Sequence, residues 1–259
     1  MKLATKREEP GKTDAKKGEI VFIHGTGSNS QMWQNQVPFF VERGYRCTLL
    51  DLRGHGDTDE PRMKTSLRVH ADDVIETLSQ ANLDMPAYFV GHSLGAIISV
   101  FLAKEKPEWF KAIFAASMPG TVSPAVVLSF RVFYNGVLQT IRKSGLHSRL
   151  AWRERTLFEM DEYTLREIAD EFGSIDLRDK VQSVRCPIHF AAGRFDPVAR
   201  YREVKRMHTE LAGSTLKVFD WGGHNFMDAS AEEFNDWIFS HLADPSGKRN
   251  TLASKNGPN

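Results

Sequence analysis

Gly91-His92-Ser93-Leu94-Gly95 lies between two apolar runs of different character. Before it, Ala87-Tyr88-Phe89-Val90 is aromatic and β-branched and predicts a buried strand. After it, the run from Ala96 to Ala103 predicts a buried helix, closed before Pro107. A serine at such a junction is held on a sharp turn, its hydroxyl projecting from the sheet edge and its backbone beside the helix N-terminus. Glycines are needed at the flanking positions because side chains there would collide with the neighbouring strand and helix. Alone, G-x-S-x-G is a short match that a plain tight turn also satisfies. The strand and helix around it make it a nucleophile-elbow pattern.

Working outward, strands and helices alternate, which predicts a mostly parallel α/β sheet with helices on both faces. Further strands are predicted over 19–24, 46–51, 112–116, 188–192 and 216–219, most as continuous apolar runs suited to burial on both faces. Leu67, Ala71, Val74, Ile75, Leu78 and Ala81 share one helical face. Ser230 with Glu233 predicts a capping box opening a C-terminal helix, and Asp196-Pro197 predicts a helix start running on through Tyr201 and Val204. From 120 to 181 no strand is legible, only helical pattern. The expected organisation is a polar segment at 1–18 with room for one short edge strand, a core over 19–119 and 182–243, a helical insertion at 120–181, and a disordered polar tail at 244–259.

At 259 residues the chain can bury a large α/β core without staples, and a formal net charge of +1 gives no reason to expect nucleic acid as a partner. Cys47 and Cys186 are not spaced for a metal and are expected to be reduced and structural. The N-terminal residues lack the apolar stretch of a signal peptide, and no run is long enough for a membrane helix, so a cytoplasmic protein without stable membrane insertion is expected. Neither a metal nor a cofactor is implied: His-Glu-x-x-His and Cys-x-x-Cys are missing.

A serine hydroxyl needs a base within hydrogen-bond reach, and the base needs an orienting acid. On a parallel sheet such groups converge at the C-terminal ends of strands. Asp196 follows the 188–192 strand, and His224 follows the 216–219 strand across Asp220-Trp221-Gly222-Gly223. Each has a plainer reading, Asp196 as a helix cap and His224 as a loop histidine. Their joint occurrence with the elbow favours chemistry. His92 is expected to point away from Ser93 by strand alternation and to serve packing. His55, in Arg53-Gly54-His55-Gly56, is expected to stabilise its turn.

With Phe22-Ile23-His24-Gly25, Asp51-Leu52-Arg53-Gly54-His55-Gly56, Gly193-Arg194-Phe195-Asp196 and Gly223-His224 added to the elbow, the chain resembles the α/β-hydrolase superfamily in its serine-hydrolase, esterase- and lipase-like branch, from Ile20 to Leu242. The resemblance implies Ser93 as nucleophile, His224 as general base and acid, and Asp196 as orienting carboxylate. It also implies an oxyanion hole from the backbone N–H groups of Leu94 and Thr26. Asp176-Leu177 resembles the family's return from the insertion. The short charged N-terminus departs from the usual antiparallel hairpin ahead of the His-Gly strand.

A rival reading takes Gly25-x-Gly27 and Asp51 as a dinucleotide fingerprint, but Ser30 stands at the third glycine position and the triad is left unexplained. A slow ligand receptor on the same fold is a second rival. Dehalogenases and epoxide hydrolases of this fold use an aspartate where this chain has Ser93. The expected substrate is a carboxylic ester with a small to medium apolar part; thioesters, lactones and carbon–carbon bonds remain open because the same apparatus serves them. Within the insertion, Phe130, Phe133, Tyr134 and Val137 are expected either to line an apolar acyl pocket or simply to pack. Arg142, Lys143, Arg149, Arg153 and Arg155 could receive an acidic carrier or a substrate carboxylate, although a solvated helix face is the plainer account.

Overall fold

Six runs dense in β-branched and aromatic residues form the parallel strands of a seven-stranded sheet in this computed structural model, which describes residues 1–11, 16–58 and 64–242. In chain order the strands are β1 (Ala4–Glu8), β2 (Gly18–Ile23), β3 (Tyr45–Asp51), β4 (Ala87–His92), β5 (Phe110–Ala116), β6 (Ile188–Gly193) and β7 (Thr215–Phe219). The spatial order is β1-β3-β2-β4-β5-β6-β7, and only β1 runs antiparallel to its neighbour, pairing Ala4 with Asp51 through Glu8 with Cys47. β1 is the one edge strand for which the N-terminal segment leaves room. Its residues Thr5 to Glu8 are exposed, and charged side chains at an edge discourage pairing with another chain.

The helices among the described residues are α1 (Val37–Val41), α2 (Leu67–Gln80), α3 (Leu94–Glu105), α4 (Pro124–Val132), α5 (Leu138–Ser144), α6 (Trp152–Glu159), α7 (Glu162–Phe172), α8 (Arg178–Gln182), α9 (Tyr201–Glu210), α10 (Phe226–Ala229) and α11 (Ala231–His241). One apolar layer packs Val21, Ile23 and Phe89 against α2 and α3; the other packs Phe22, Val90 and Phe114 against α1 and α11. The sheet is therefore buried on both faces, which is why its strands read as continuous apolar runs. α2 buries Leu67, Ala71, Val74 and Leu78 as the 3.6-residue spacing predicts.

Between β5 and β6 the chain forms only helices, α4 to α8, closed at the base by an antiparallel bridge between Thr121 and Asp176 and by Leu177 N–H donating to Gly120 O (2.9 Å). The stretch between these two strands is thus tied back on itself at Gly120-Thr121 and Asp176-Leu177. A five-residue π turn, Phe133–Val137, joins α4 to α5.

Two expected helix starts are corrected. Ser230 makes no side-chain cap on α11, and Glu233 instead pairs with Lys217 at 2.6 Å. The helix after Asp196-Pro197 begins only at Tyr201, with Arg200 as its cap, although Asp196 Oδ1 still accepts from Val198 N–H and Ala199 N–H as a capping carboxylate does. The expected tail at 244–259 lies outside the described residues.

Candidate active site

Ser93 sits between β4 and α3 with φ 49° and ψ −110°. A non-glycine residue at positive φ costs on the order of 1–3 kcal/mol and persists only where its surroundings enforce it. Here they do. A Cβ on Gly95 would strike the carbonyls of Ile23 and His24, and one on Gly91 would strike the backbone of Ala96. α3 therefore packs directly on β2 and β4, and Ser93 N–H is pinned to Ala116 O at 2.9 Å.

The two other triad candidates come together by an equally close backbone approach. A Cβ on Gly193 would meet the carbonyls of Gly222 and Gly223, and Phe195 N–H donates to Gly222 O at 2.9 Å. The loops after β6 and β7 are thereby pressed against each other. His224 Nδ1–H donates to Asp196 Oδ2 at 2.8 Å, with Oδ1 at 3.0 Å. That bond leaves Nε2 as the basic nitrogen. Asp196 Oδ1 also accepts from Val198 N–H (2.8 Å) and Ala199 N–H (2.9 Å). Burial pushes the Asp196 carboxyl upward, but the His224 bond and charge and these two amides outweigh it and hold the group below the usual carboxylate range.

A cavity of about 300 Å³ holds Ser93 and His224 in its wall, with Thr26, Gly27 and Ser28 on one side. Larger clefts of about 640 and 540 Å³ lie over α11 and beside α1, and neither contains Ser93, Asp196 or His224. The site cavity is at the small end for ligand pockets. The N–H groups of Thr26 and Leu94 have no acceptor among the described residues, as oxyanion donors require. The Thr26 turn is fixed from behind. Gly27 N–H donates to His55 Nε2 (3.1 Å) while His55 Nδ1–H donates to Arg53 O (2.8 Å). His24 likewise accepts from Leu52 N–H (2.9 Å) and donates to Gly25 O (2.8 Å). His55 is thus a loop stabiliser, as expected, and it acts on the turn that presents Thr26. Burial lowers both imidazoles from their ordinary value, so both remain neutral.

His92 departs from expectation. It lines the same cavity as Ser93, its ring centroid 4.8 Å from that of His224, and its Nε2–H donates to His224 O at 3.0 Å. Ser117 Oγ–H donates to the same carbonyl at 2.8 Å. Strand alternation fails here because the positive φ of Ser93 turns the chain back on itself after β4. Burial pushes the His92 imidazole down to about 3, with help from the charges of His224 and Arg153. Sequence reasoning missed Ser117 altogether; its own φ of 49° at the end of β5 is not encoded in any motif.

Of the four expected pocket residues, only Phe130 reaches the cavity. Phe133 packs on Phe158 (ring centroids 5.9 Å), Tyr134 is fully buried in the insertion's core, and Val137 is 45% exposed. The π turn inserts an extra residue, so Leu138 rather than Val137 faces inward. The remaining apolar wall is Leu157, Phe172 and Val198. Among the basic residues of the insertion, Arg153 also lines the cavity, contrary to the solvated-face account. Arg142 instead donates to the carbonyls of Phe158 and Met160, and Arg155 pairs with Glu159 at 3.1 Å. No group of three or more His, Cys, Asp or Glu side chains that could hold a metal ion occurs among the described residues. None of the described helices is long and apolar enough to cross a membrane.

A mostly parallel seven-stranded sheet with a serine on the β4–α3 elbow defines an α/β hydrolase. Residues 14–229 match the family model described as serine aminopeptidase, S33, and the chain belongs to that family. It is 25% identical over 250 residues to protein ABHD8 of Homo sapiens, covering 86% of this chain but 54% of that protein, so it spans about half the length of that relative. It is 26% identical over 247 residues to a non-heme chloroperoxidase of Streptomyces lividans, covering 83% of this chain and 88% of the relative. The solved esterase of Exiguobacterium antarcticum superposes with a TM-score of 0.79 at 20% identity, over 93% of this chain and 95% of that one, a likeness of fold.

Proposed function

We propose that the chain is a serine hydrolase that cleaves carboxylic esters of small, partly apolar substrates through an acyl-enzyme on Ser93. The observation that carries this reading is the common cavity. A serine held at positive φ and an imidazole already bonded to a depressed carboxylate line one space of about 300 Å³. His224 Nε2 takes the Ser93 proton as Oγ attacks the ester carbonyl, and the new oxyanion lies against the N–H groups of Leu94 and Thr26. Collapse breaks the ester C–O bond, and His224 returns the proton to the departing alkoxide. Water then repeats the sequence on the acyl-enzyme, releasing the acid and restoring Ser93. Asp196 keeps the imidazole in the Nδ1–H form throughout and stabilises it when charged.

Phe130, Leu157, Phe172 and Val198 supply an apolar wall for the acyl or alcohol part, so the helical insertion acts as the cap over the nucleophile. Thioesters and lactones would use the same groups. The names of the relatives do not separate these, since they include esterases and haloperoxidases alike. The direct test is labelling with a fluorophosphonate probe and peptide mapping. The adduct is expected on Ser93 and is lost in Ser93→Ala; a folded protein that stays unlabelled, or is labelled elsewhere, refutes the mechanism.

A further inference from the structure

The wall of the catalytic cavity contains one Lys or Arg side chain among the described residues, Arg153 on α6. Its surroundings are unlike those of a surface arginine. Nη2 donates to Asp228 on α10, a few residues beyond His224. Nε and Nη1 have no acceptor among the described residues. The guanidinium carbon lies 4.8 Å from the centre of the Trp152 ring, which limits the plane it can adopt. The side chain is 20% exposed, so its charge is partly removed from water and remains close enough to oppose protonation of His92.

An arginine that served only to tie α6 to α10 would need a single donor, and it would not need to face the nucleophile. Uncommitted N–H groups on a partly buried guanidinium in the cavity wall instead match an anionic oxygen acceptor, each N–H meeting one oxygen. We propose that Arg153 forms a subsite for a carboxylate carried by the substrate, so that the preferred substrates are half-esters of short dicarboxylic acids or comparably charged lactones. This rests on the serine-hydrolase reading of the site and narrows its substrate class. Asp228 already supplies one negative charge to Arg153, and Glu154 lies at the rim of the same cavity. Recognition at Arg153 therefore rests on its uncommitted N–H groups and not on excess positive charge, and a dianionic phosphate is disfavoured most. Arg153 and Ser93 share one cavity of about 300 Å³, which favours short diacids.

The test compares monoethyl glutarate with its uncharged isostere, ethyl 4-carbamoylbutanoate. Wild type is expected to show kcat/KM at least tenfold higher for the charged ester, and Arg153→Gln to bring that ratio close to one, with Arg153→Lys between them because it keeps the charge but has a single nitrogen to divide between Asp228 and the substrate. A wild-type ratio near one, or a ratio unchanged in Arg153→Gln, overturns the subsite. The wild-type ratio decides even if Arg153→Gln does not fold. If neither ester turns over, calorimetric titration of both into Ser93→Ala replaces the kinetic ratio: at least tenfold tighter binding of monoethyl glutarate upholds the subsite, and equal binding overturns it. Fluorophosphonate labelling of Ser93 reports separately on the hydrolase reading. A labelled enzyme that hydrolyses both esters equally therefore rejects the carboxylate subsite and leaves the hydrolase reading standing.

Discussion

Lowering the pH from 7.5 to 5.0 is expected to remove about 4 kcal/mol of folding stability through two buried histidines alone. His70, on α2, is fully buried with neither ring nitrogen hydrogen-bonded, and burial brings it from 6.5 down to about 4. His92 is brought from 6.5 down to about 3 by burial and then by the charge of His224. Around His70 the effects oppose one another, Asp73 raising its affinity for protons and Arg53 and His24 lowering it. In both cases the unfolded chain takes a proton near pH 6.5 while the folded chain refuses it. Stability is complete above that value and drains away as pH falls toward the folded value. At pH 5.0 the unfolded state gains about 2 kcal/mol per group, on 1.36 kcal/mol per pH unit. His24 and His55, also lowered by burial, act in the same direction. The loss is a large fraction of the roughly 5–15 kcal/mol that holds a typical domain together. Reversible urea unfolding at the two pH values measures it. His70→Leu, which keeps an apolar side chain on the helix, is expected to shrink the pH-dependent loss by about 2 kcal/mol whatever it does at pH 7.5. Equal wild-type stability at both pH values, or an unchanged loss in His70→Leu, refutes the reasoning.

Asp196→Asn is expected to keep the fold but lower kcat by a factor on the order of 10⁴, since an amide no longer selects the Nδ1–H tautomer of His224; steady-state kinetics beside a thermal melt measures both. Phe130→Ala is expected to redistribute activity among p-nitrophenyl esters of increasing acyl length by roughly 10- to 200-fold, while Val137→Ala leaves the order of preference intact. Ser93→Gly is expected to be more stable than Ser93→Ala by up to about 1–3 kcal/mol, and so to melt higher, because alanine keeps the positive-φ strain that glycine relieves. A higher melting temperature for Ser93→Ala would mean that the elbow stores no strain.

The parts of the site that were legible are those where backbone geometry dictates residue type. Gly91 and Gly95 cannot carry side chains without striking α3 or β2, so the elbow announces itself in five letters. Asp196 and His224 stand directly after β6 and β7, where a parallel sheet gathers its functional groups. What escaped depends on departures from ideal periods. One is the turn at Ser93, which brings His92 into the cavity; another is the π turn at Phe133–Val137, which exchanges Val137 for Leu138 on the inner face. β1 was hidden because an exposed edge strand needs no apolar alternation. Arg153 looked like a solvated residue because its environment comes from distant segments, α10 above all, and no local pattern records that.

The site therefore divides between two kinds of support. Ser93, Asp196 and His224 stand on strand ends packed through glycine contacts, where a small displacement meets backbone and is resisted. Of the apolar part of the cavity wall, Phe130, Leu157 and Phe172 come from α4, α6 and α7 of the insertion, and polar bonds join the insertion to the loops that carry Thr26, His55 and His224. Thr156 Oγ1–H donates to Gly27 O at 2.9 Å, beside Thr26, and Arg153 reaches Asp228 just beyond His224. Asp161 N–H donates to Gly54 O at 3.0 Å, next to the turn whose His55 accepts from Gly27 N–H. Each tie ends on a loop that carries a proposed oxyanion donor, the proposed base, or the residue that orients one of them. Movement of the insertion is therefore expected to reach these loops, and a substitution that reshapes its inner wall is expected to change kcat together with KM. Thr156→Val separates this coupling from simple packing, since it removes the bond to Gly27 while nearly conserving volume. A fall in kcat with an unchanged melting temperature would locate the effect in the Thr26 turn, whereas loss of stability at constant kcat would mean that the insertion and the catalytic loops are energetically independent.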